Sequence, residues 1–159
     1  RMVIPKFQDG QYDLIIGDAF NDFSVPYHLT TLEFNDDVVR LLDHNGIYVV
    51  SIIDKMYSGR FLKAYVNTLQ QTFPYVYVMA EHALWNDVPN TFVVAGSLAP
   101  ISLSGLENAN SNTGRAPLVT KIMPEDSFRS WINTDANILL TDDYVPVDNL
   151  LAPLYRELQ

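Results

Sequence analysis

Unbroken apolar runs alternate along this chain with stretches whose apolar residues recur at helical spacing. Leu14–Ile16 does not alternate with polar residues, so Tyr12–Gly17 reads as a strand covered on both faces, as in parallel α/β sheets. A helix should follow. Thr30 and Glu33 have the spacing of a capping box, Leu29 and Phe34 are placed as a hydrophobic staple, and Val38, Val39, Leu41 and Leu42 supply a buried stripe. Asn45-Gly46 is expected to end this helix, with the glycine left-handed. Ile47–Ile53 is a second continuous apolar strand. Ser58 is placed to cap a second helix, in which Phe61, Leu62, Tyr65, Val66 and Leu69 recur until Pro74 stops it. Strand, helix, strand, helix predicts parallel pairing through right-handed crossovers.

The pattern then changes. Tyr75–Ala80 and Thr91–Ala95 are β-rich runs whose connection, His82–Asn90, suits a long hairpin better than a crossover helix, so the sheet is expected to finish with an antiparallel strand. From Leu98 to Arg115 the chain is dense in Ser, Asn, Gly and Pro and reads as a mobile surface loop. Order should return near Pro124, with Phe128, Trp131 and Ile132 as the apolar face of a further helix. The expected division is an α/β part over 1–99, a mobile loop over 100–123 and a helical tail over 124–159.

Composition narrows the classes. A chain of 159 residues, 48% hydrophobic and 18% charged, is long and apolar enough for one globular domain with a sizeable core. A net charge of -9 argues against nucleic-acid binding and leaves cationic or neutral ligands. With no cysteine there is no disulfide, zinc thiolate site or thiol nucleophile, which fits a reducing compartment and a cytoplasmic location. His28, His44 and His82 lack metal-ligand spacing, and Asp142-Asp143 alone lack the distributed oxygens of a calcium site, so no metal is expected. No apolar run is long enough to span a bilayer, and no signal peptide is visible.

The candidate chemistry begins with Asp18. In open α/β sheets ligands bind beyond the carboxyl ends of the strands, where Asp18 and Phe20-Asn21-Asp22-Phe23 would lie. Asp18 either serves such a site or caps the next element. Asp142 and Asp143 either face the mouth of the site or form a solvated turn whose Tyr144 packs inward. Trp85 either stacks on a ligand or covers the hairpin, and His28 either touches a ligand or packs. Tyr57 and Ser58, after the second strand, lie on the ligand-facing side by topology.

Three pieces in order carry a resemblance: Tyr12-Asp13-Leu14-Ile15-Ile16-x-Asp18-Ala19-Phe20, Pro26-x-His28-Leu29-Thr30-Thr31-x-Glu33-Phe34, and Thr141-Asp142-Asp143-Tyr144-x-Pro146-Val147. They resemble the spermidine/spermine synthase-like family, most of all the branch whose synthase-like domain is often fused to a membrane-transporter-like segment. The resemblance implies the second half of a Rossmann-like class I methyltransferase fold, a mostly parallel sheet ending in an antiparallel hairpin. It implies use of decarboxylated S-adenosylmethionine, or S-adenosylmethionine itself, with a small-molecule amine as acceptor. By the same resemblance Asp18 acts on the attacking amine as base or orienting carboxylate. Asn21, Asp22, Asp142, Asp143 and Tyr144 lie on the substrate side, and Ala19, Phe20 and Pro26 on the cofactor side. An amine attacks the carbon beside a sulfonium only when its lone pair is free, so a carboxylate in hydrogen-bond reach is the natural proton acceptor.

The chain also departs from the family pattern. The second loop carboxylate of the family falls here on Asn21, with Asp22 one place later. The Tyr-Pro-x-Gly segment that shapes the diamine pocket is replaced by Leu84-Trp85-Asn86-Asp87-Val88-Pro89-Asn90-Thr91. The glycine-rich nucleoside loop, which precedes the first matching strand in the family, has no counterpart. The expectation is a portion of a transferase that binds no cofactor and turns over nothing alone, and that self-associates through the open edge of residues 12–17. The alternatives are a non-catalytic scaffold or binding module of the same fold, and a methyltransferase with another acceptor. Membrane attachment of the parent stays open.

Overall fold

The computed structural model describes residues 4–19, 25–80, 85–115, 117–134 and 138–157. In chain order the elements are β1 (Tyr12–Gly17), α1 (Leu32–Leu41), β2 (Leu42–Asp54), α2 (Phe61–Leu69), β3 (Tyr75–Ala80), β4 (Asn90–Ser97), α3 (Leu103–Ser111), α4 (Glu125–Ile132) and α5 (Val147–Glu157). No helix among the described residues is long and apolar enough to cross a membrane.

The strands form one sheet in the order β1-β2-β4-β3. β1 pairs with β2 in parallel, while β4 runs antiparallel to both β2 and β3. The expectation of a mostly parallel sheet ending in an antiparallel hairpin is therefore met only in part. The reversed strand lies inside the sheet, and β3 forms the edge. Burial accompanies the placement: Phe92, Val94 and Ala95 are buried, and of the two hairpin strands β4 is the more buried and has partners on both sides.

β1 departs from expectation as well. Among the described residues it pairs only with β2, and Leu14 and Ile16 are 52% and 65% exposed. It is an edge strand here, one face uncovered, although its apolar run reads as an interior strand.

The helix ends move by a few residues, each for a visible reason. Thr31, not Thr30, caps α1: its hydroxyl accepts from the Phe34 amide at 3.3 Å. Thr30 instead donates to the Tyr27 carbonyl at 2.7 Å, and the Glu33 carboxylate accepts from the Asp142 amide at 2.9 Å. The helix stops at Leu41, and the chain passes straight into β2. Asn45-Gly46 falls in the register irregularity of β2, where Tyr12 faces Leu42 but Leu14 already faces Ile47. Gly46 is not left-handed; among the described glycines only Gly10 and Gly114 have positive φ. Within the stretch read as a loop, Leu103–Ser111 is helical, started by the Ser102 hydroxyl accepting from the Gly105 amide at 3.1 Å. Three-residue side-chain capping outweighs weak local propensity there.

The core lies between β2, β4 and the helices. Phe61–Val66 are all buried, so α2 has no solvated face over its first two turns and is enclosed by its neighbours. Tyr48 on β2 stacks on Phe73 with ring centroids 6.2 Å apart, and its buried phenol interacts electrostatically with that of Tyr65. Burial raises the Tyr48 phenol to about 12, so the pair stays neutral at all ordinary pH.

Candidate functional site

Because β1 and β2 are parallel, their carboxyl ends meet at one rim of the sheet, and α1 and α2 both start from it. The β3–β4 connection returns to the same rim, where Asp54 pairs with Asn90. The rim is where an open α/β sheet places ligands.

Asp18 follows Gly17 there and is exposed, as is Ala19. Gly17 permits the placement: a Cβ at this position would lie 2.6 Å from the Tyr48 hydroxyl, so only glycine lets the strand end approach β2 so closely. Pro26 is half-buried just before the helical turn Tyr27–Leu29, and His28 is exposed with its ring edge-on to Tyr27 at 5.5 Å. Phe20, Asn21 and Asp22 lie outside the described residues.

The Thr141–Tyr144 turn docks on the start of α1. Thr31 donates to Asp142 Oδ1 at 2.7 Å, the Asp142 amide donates to Glu33, and the Leu32 amide donates to the Leu140 carbonyl at 2.8 Å. A carboxylate at a helix amino terminus is favoured by the orphan amides and the dipole there. Asp142 thus has a structural task at the rim. Asp143 and Tyr144 are exposed, so Tyr144 does not pack inward as the solvated-turn alternative supposed. The structure brings the second and third sequence pieces into direct contact, at the rim that carries Asp18.

Two further carboxylates belong to this rim. Asp54 ends β2 and is 1% exposed; Oδ1 accepts from the Lys55 amide and Oδ2 from the Leu62 amide, both at 2.8 Å. It therefore closes the start of α2, a task the sequence reading gave to Ser58. Burial pushes its carboxyl up to about 6; amides of Leu62, Lys55 and Phe61 restrain the rise, and the Asp87 charge adds to it. Asp87, in the β3–β4 connection, accepts from the Tyr57 and Ser58 amides at 2.9 and 2.7 Å. Partial desolvation raises its carboxyl, but bonds from Ser58 and Tyr57 and the Lys55 charge outweigh this and hold it below the ordinary value. The sequence carried a signal for Asp54, since the second apolar strand, like the first, ends on an aspartate. Asp87 had none, because its partners are amides thirty positions away.

These residues do not by themselves form a nucleoside cradle. Such a cradle needs a glycine-rich turn opening onto a helix at the rim. Of the two positive-φ glycines described, Gly10 precedes the amino end of β1 and Gly114 lies in the segment after α3.

A parallel strand pair with aspartates at its carboxyl ends, followed by a reversed strand inserted before the edge, makes this a mixed α/β fold with a four-stranded sheet. More particularly, it is the fold of the spermidine synthases, which confirms the resemblance carried by the three sequence pieces. The chain is similar to a probable spermidine synthase from Corynebacterium glutamicum with a TM-score of 0.69 and 24% identity, over 89% of this chain and 51% of that one. It is similar to the spermidine synthase from Thermotoga maritima with a TM-score of 0.55 and 16% identity, over 84% of this chain and 44% of that one. A spermidine synthase in complex with the transition-state analogue AdoDATO matches with a TM-score of 0.57 and 16% identity, over 84% of this chain and 45% of that one. The chain spans about half the length of these solved proteins. No family model and no curated protein matches the sequence.

Proposed function

We propose that this chain is the portion of a spermidine-synthase-like aminopropyltransferase that presents the amine-activating carboxylate. The observation that carries the reading is the position of Asp18: exposed, one residue past the end of β1, on the rim where the Thr141–Tyr144 turn meets α1. An exposed carboxylate there attracts an alkylammonium ion and accepts its proton, which frees the nitrogen lone pair for attack. The acceptor is a small amine, and the group donor is decarboxylated S-adenosylmethionine, the compound class suggested by the analogue-bound relative. The donor's nucleoside is held by parts of the parent protein outside the half matched here, so the 159-residue polypeptide alone neither binds it nor turns over. The absence of cysteine is in keeping with a parent in the cytoplasm, membrane-attached or not.

The test uses the full-length parent. Aminopropyl transfer to one or more amines of a panel, with decarboxylated rather than ordinary S-adenosylmethionine, supports the reading. Methyl transfer supports the methyltransferase alternative, and inactivity with both supports the scaffold. Asp18→Asn in the parent should lower kcat at least about 100-fold with unchanged melting temperature. Equal losses of activity and stability would make Asp18 a structural carboxylate.

A further inference from the structure

Asn45-Gly46 does not end α1 but lies inside β2, at the register irregularity of the β1–β2 pair. It is the only asparagine-glycine pair in the sequence, and Asn45 is exposed. The chain folds back tightly here. A Cβ on Gly46 would lie 2.7 Å from Leu42 Cβ and 2.9 Å from the Asp43 carbonyl oxygen, so the turn admits only glycine. Lacking a Cβ, glycine also gives its own amide nitrogen the least hindered approach to the side-chain carbonyl carbon of the residue before it.

Three consecutive side chains are aligned at this turn. His44 Nδ1 is paired with the Asp43 carboxylate, and the other ring nitrogen, Nε2, lies 2.8 Å from Asn45 Nδ2. The same Asp43 oxygen accepts from the Asn45 main-chain amide at 3.3 Å. The carboxylate thereby fixes which ring nitrogen faces the asparagine amide, as a partner on one imidazole nitrogen sets the role of the other.

We propose that Asn45 is a site of self-modification, converted through a cyclic imide to aspartate and isoaspartate, with His44 delivering the proton to the departing nitrogen. The Gly46 amide gives its proton to water, and its nitrogen bonds to Asn45 Cγ. As that carbon becomes tetrahedral, Nδ2 changes from an amide nitrogen, which only donates, into an amine with a free lone pair. The imidazolium passes its Nε2 proton to this pair, the Cγ–Nδ2 bond breaks, and ammonia leaves. The proton released by Gly46 restores the imidazolium. Water then opens the imide at either carbonyl, to aspartate or to isoaspartate.

Both products add a negative charge where α1 passes into β2. Isoaspartate also lengthens the main chain, next to the Gly46 carbonyl that accepts from the Leu98 amide at 3.2 Å and ties β2 to the segment after β4. The proposal goes beyond the transferase reading and does not depend on it, since Asn45 lies at the amino end of β2 and the rim of Asp18 at the other.

The test incubates the 159-residue polypeptide at neutral pH and follows each asparagine by peptide mass spectrometry, with isoaspartyl methyltransferase labelling to count isoaspartate. Asn45 should convert before every other asparagine, and faster in the folded protein than in the same chain unfolded in guanidinium chloride. His44→Gln, at an exposed position, should keep the melting temperature and slow conversion of Asn45 at least about tenfold. Three results overturn the proposal: an intact Asn45 while other asparagines convert, a folded-state rate no greater than the unfolded one, or the wild-type rate in His44→Gln.

Discussion

Thr31 donates its hydroxyl to the Asp142 carboxylate at 2.7 Å, joining positions 111 residues apart at the amino end of α1. The same hydroxyl oxygen accepts from the Phe34 amide, so one buried side chain both caps the helix and anchors the Thr141–Tyr144 turn. Thr31→Val removes both bonds and should cost about 1–3 kcal/mol. Thr30→Val removes only the bond to Tyr27 and should cost roughly half as much. Urea unfolding of the two variants checks the order; a larger loss at Thr30 would return the cap to the position the sequence suggested.

Asp54 makes stability depend on pH in a direction opposite to that of an ordinary paired carboxylate. Its folded value, about 6, lies above the ordinary 3.8, so between these limits the folded state holds more protons than the unfolded one. Stability from this group is full below about pH 3.8 and is lost as pH rises through 6, by about 3 kcal/mol. Asp54→Asn keeps an acceptor for the Leu62 amide and loses the titration. The difference between wild type and variant, measured by denaturant unfolding across this interval, should slope accordingly; parallel profiles would remove Asp54 from the account.

Gly59 sits where the loop after β2 folds back on Asp54. A Cβ there would lie 2.1 Å from the Lys55 carbonyl oxygen and 2.5 Å from the Asp54 carboxyl carbon. Backbone cannot yield as a flexible side chain does, so Gly59→Ala should destabilise by about 1–3 kcal/mol and shift Asp54 off the start of α2. A thermal melt matching wild type would show that the loop has room to relax.

The side of β1 away from β2 has no strand partner among the described residues, beside exposed Leu14 and Ile16. Such an edge recruits another strand. The 159-residue polypeptide should therefore gain mass in light scattering as concentration rises, and Ile16→Lys should keep it monomeric. A constant monomer mass for the unaltered chain would contradict this.

What the sequence alone determined was local. The apolar run at Ile47–Ile53 and the helical spacing of Phe61, Leu62, Tyr65 and Val66 mark elements that burial enforces, and the run at Leu14–Ile16 marks a strand though not its exposure, because period and hydrophobicity are properties of neighbouring residues. The three family-like pieces were legible for the same reason, each being contiguous. Tertiary structure decided the rest. Thr31 rather than Thr30 became the cap because Asp142 arrived from the far end of the chain, and Asp54 took the task of Ser58 because strand end and helix start meet in space. β4 moved inside the sheet because its burial depends on partners that no local pattern names.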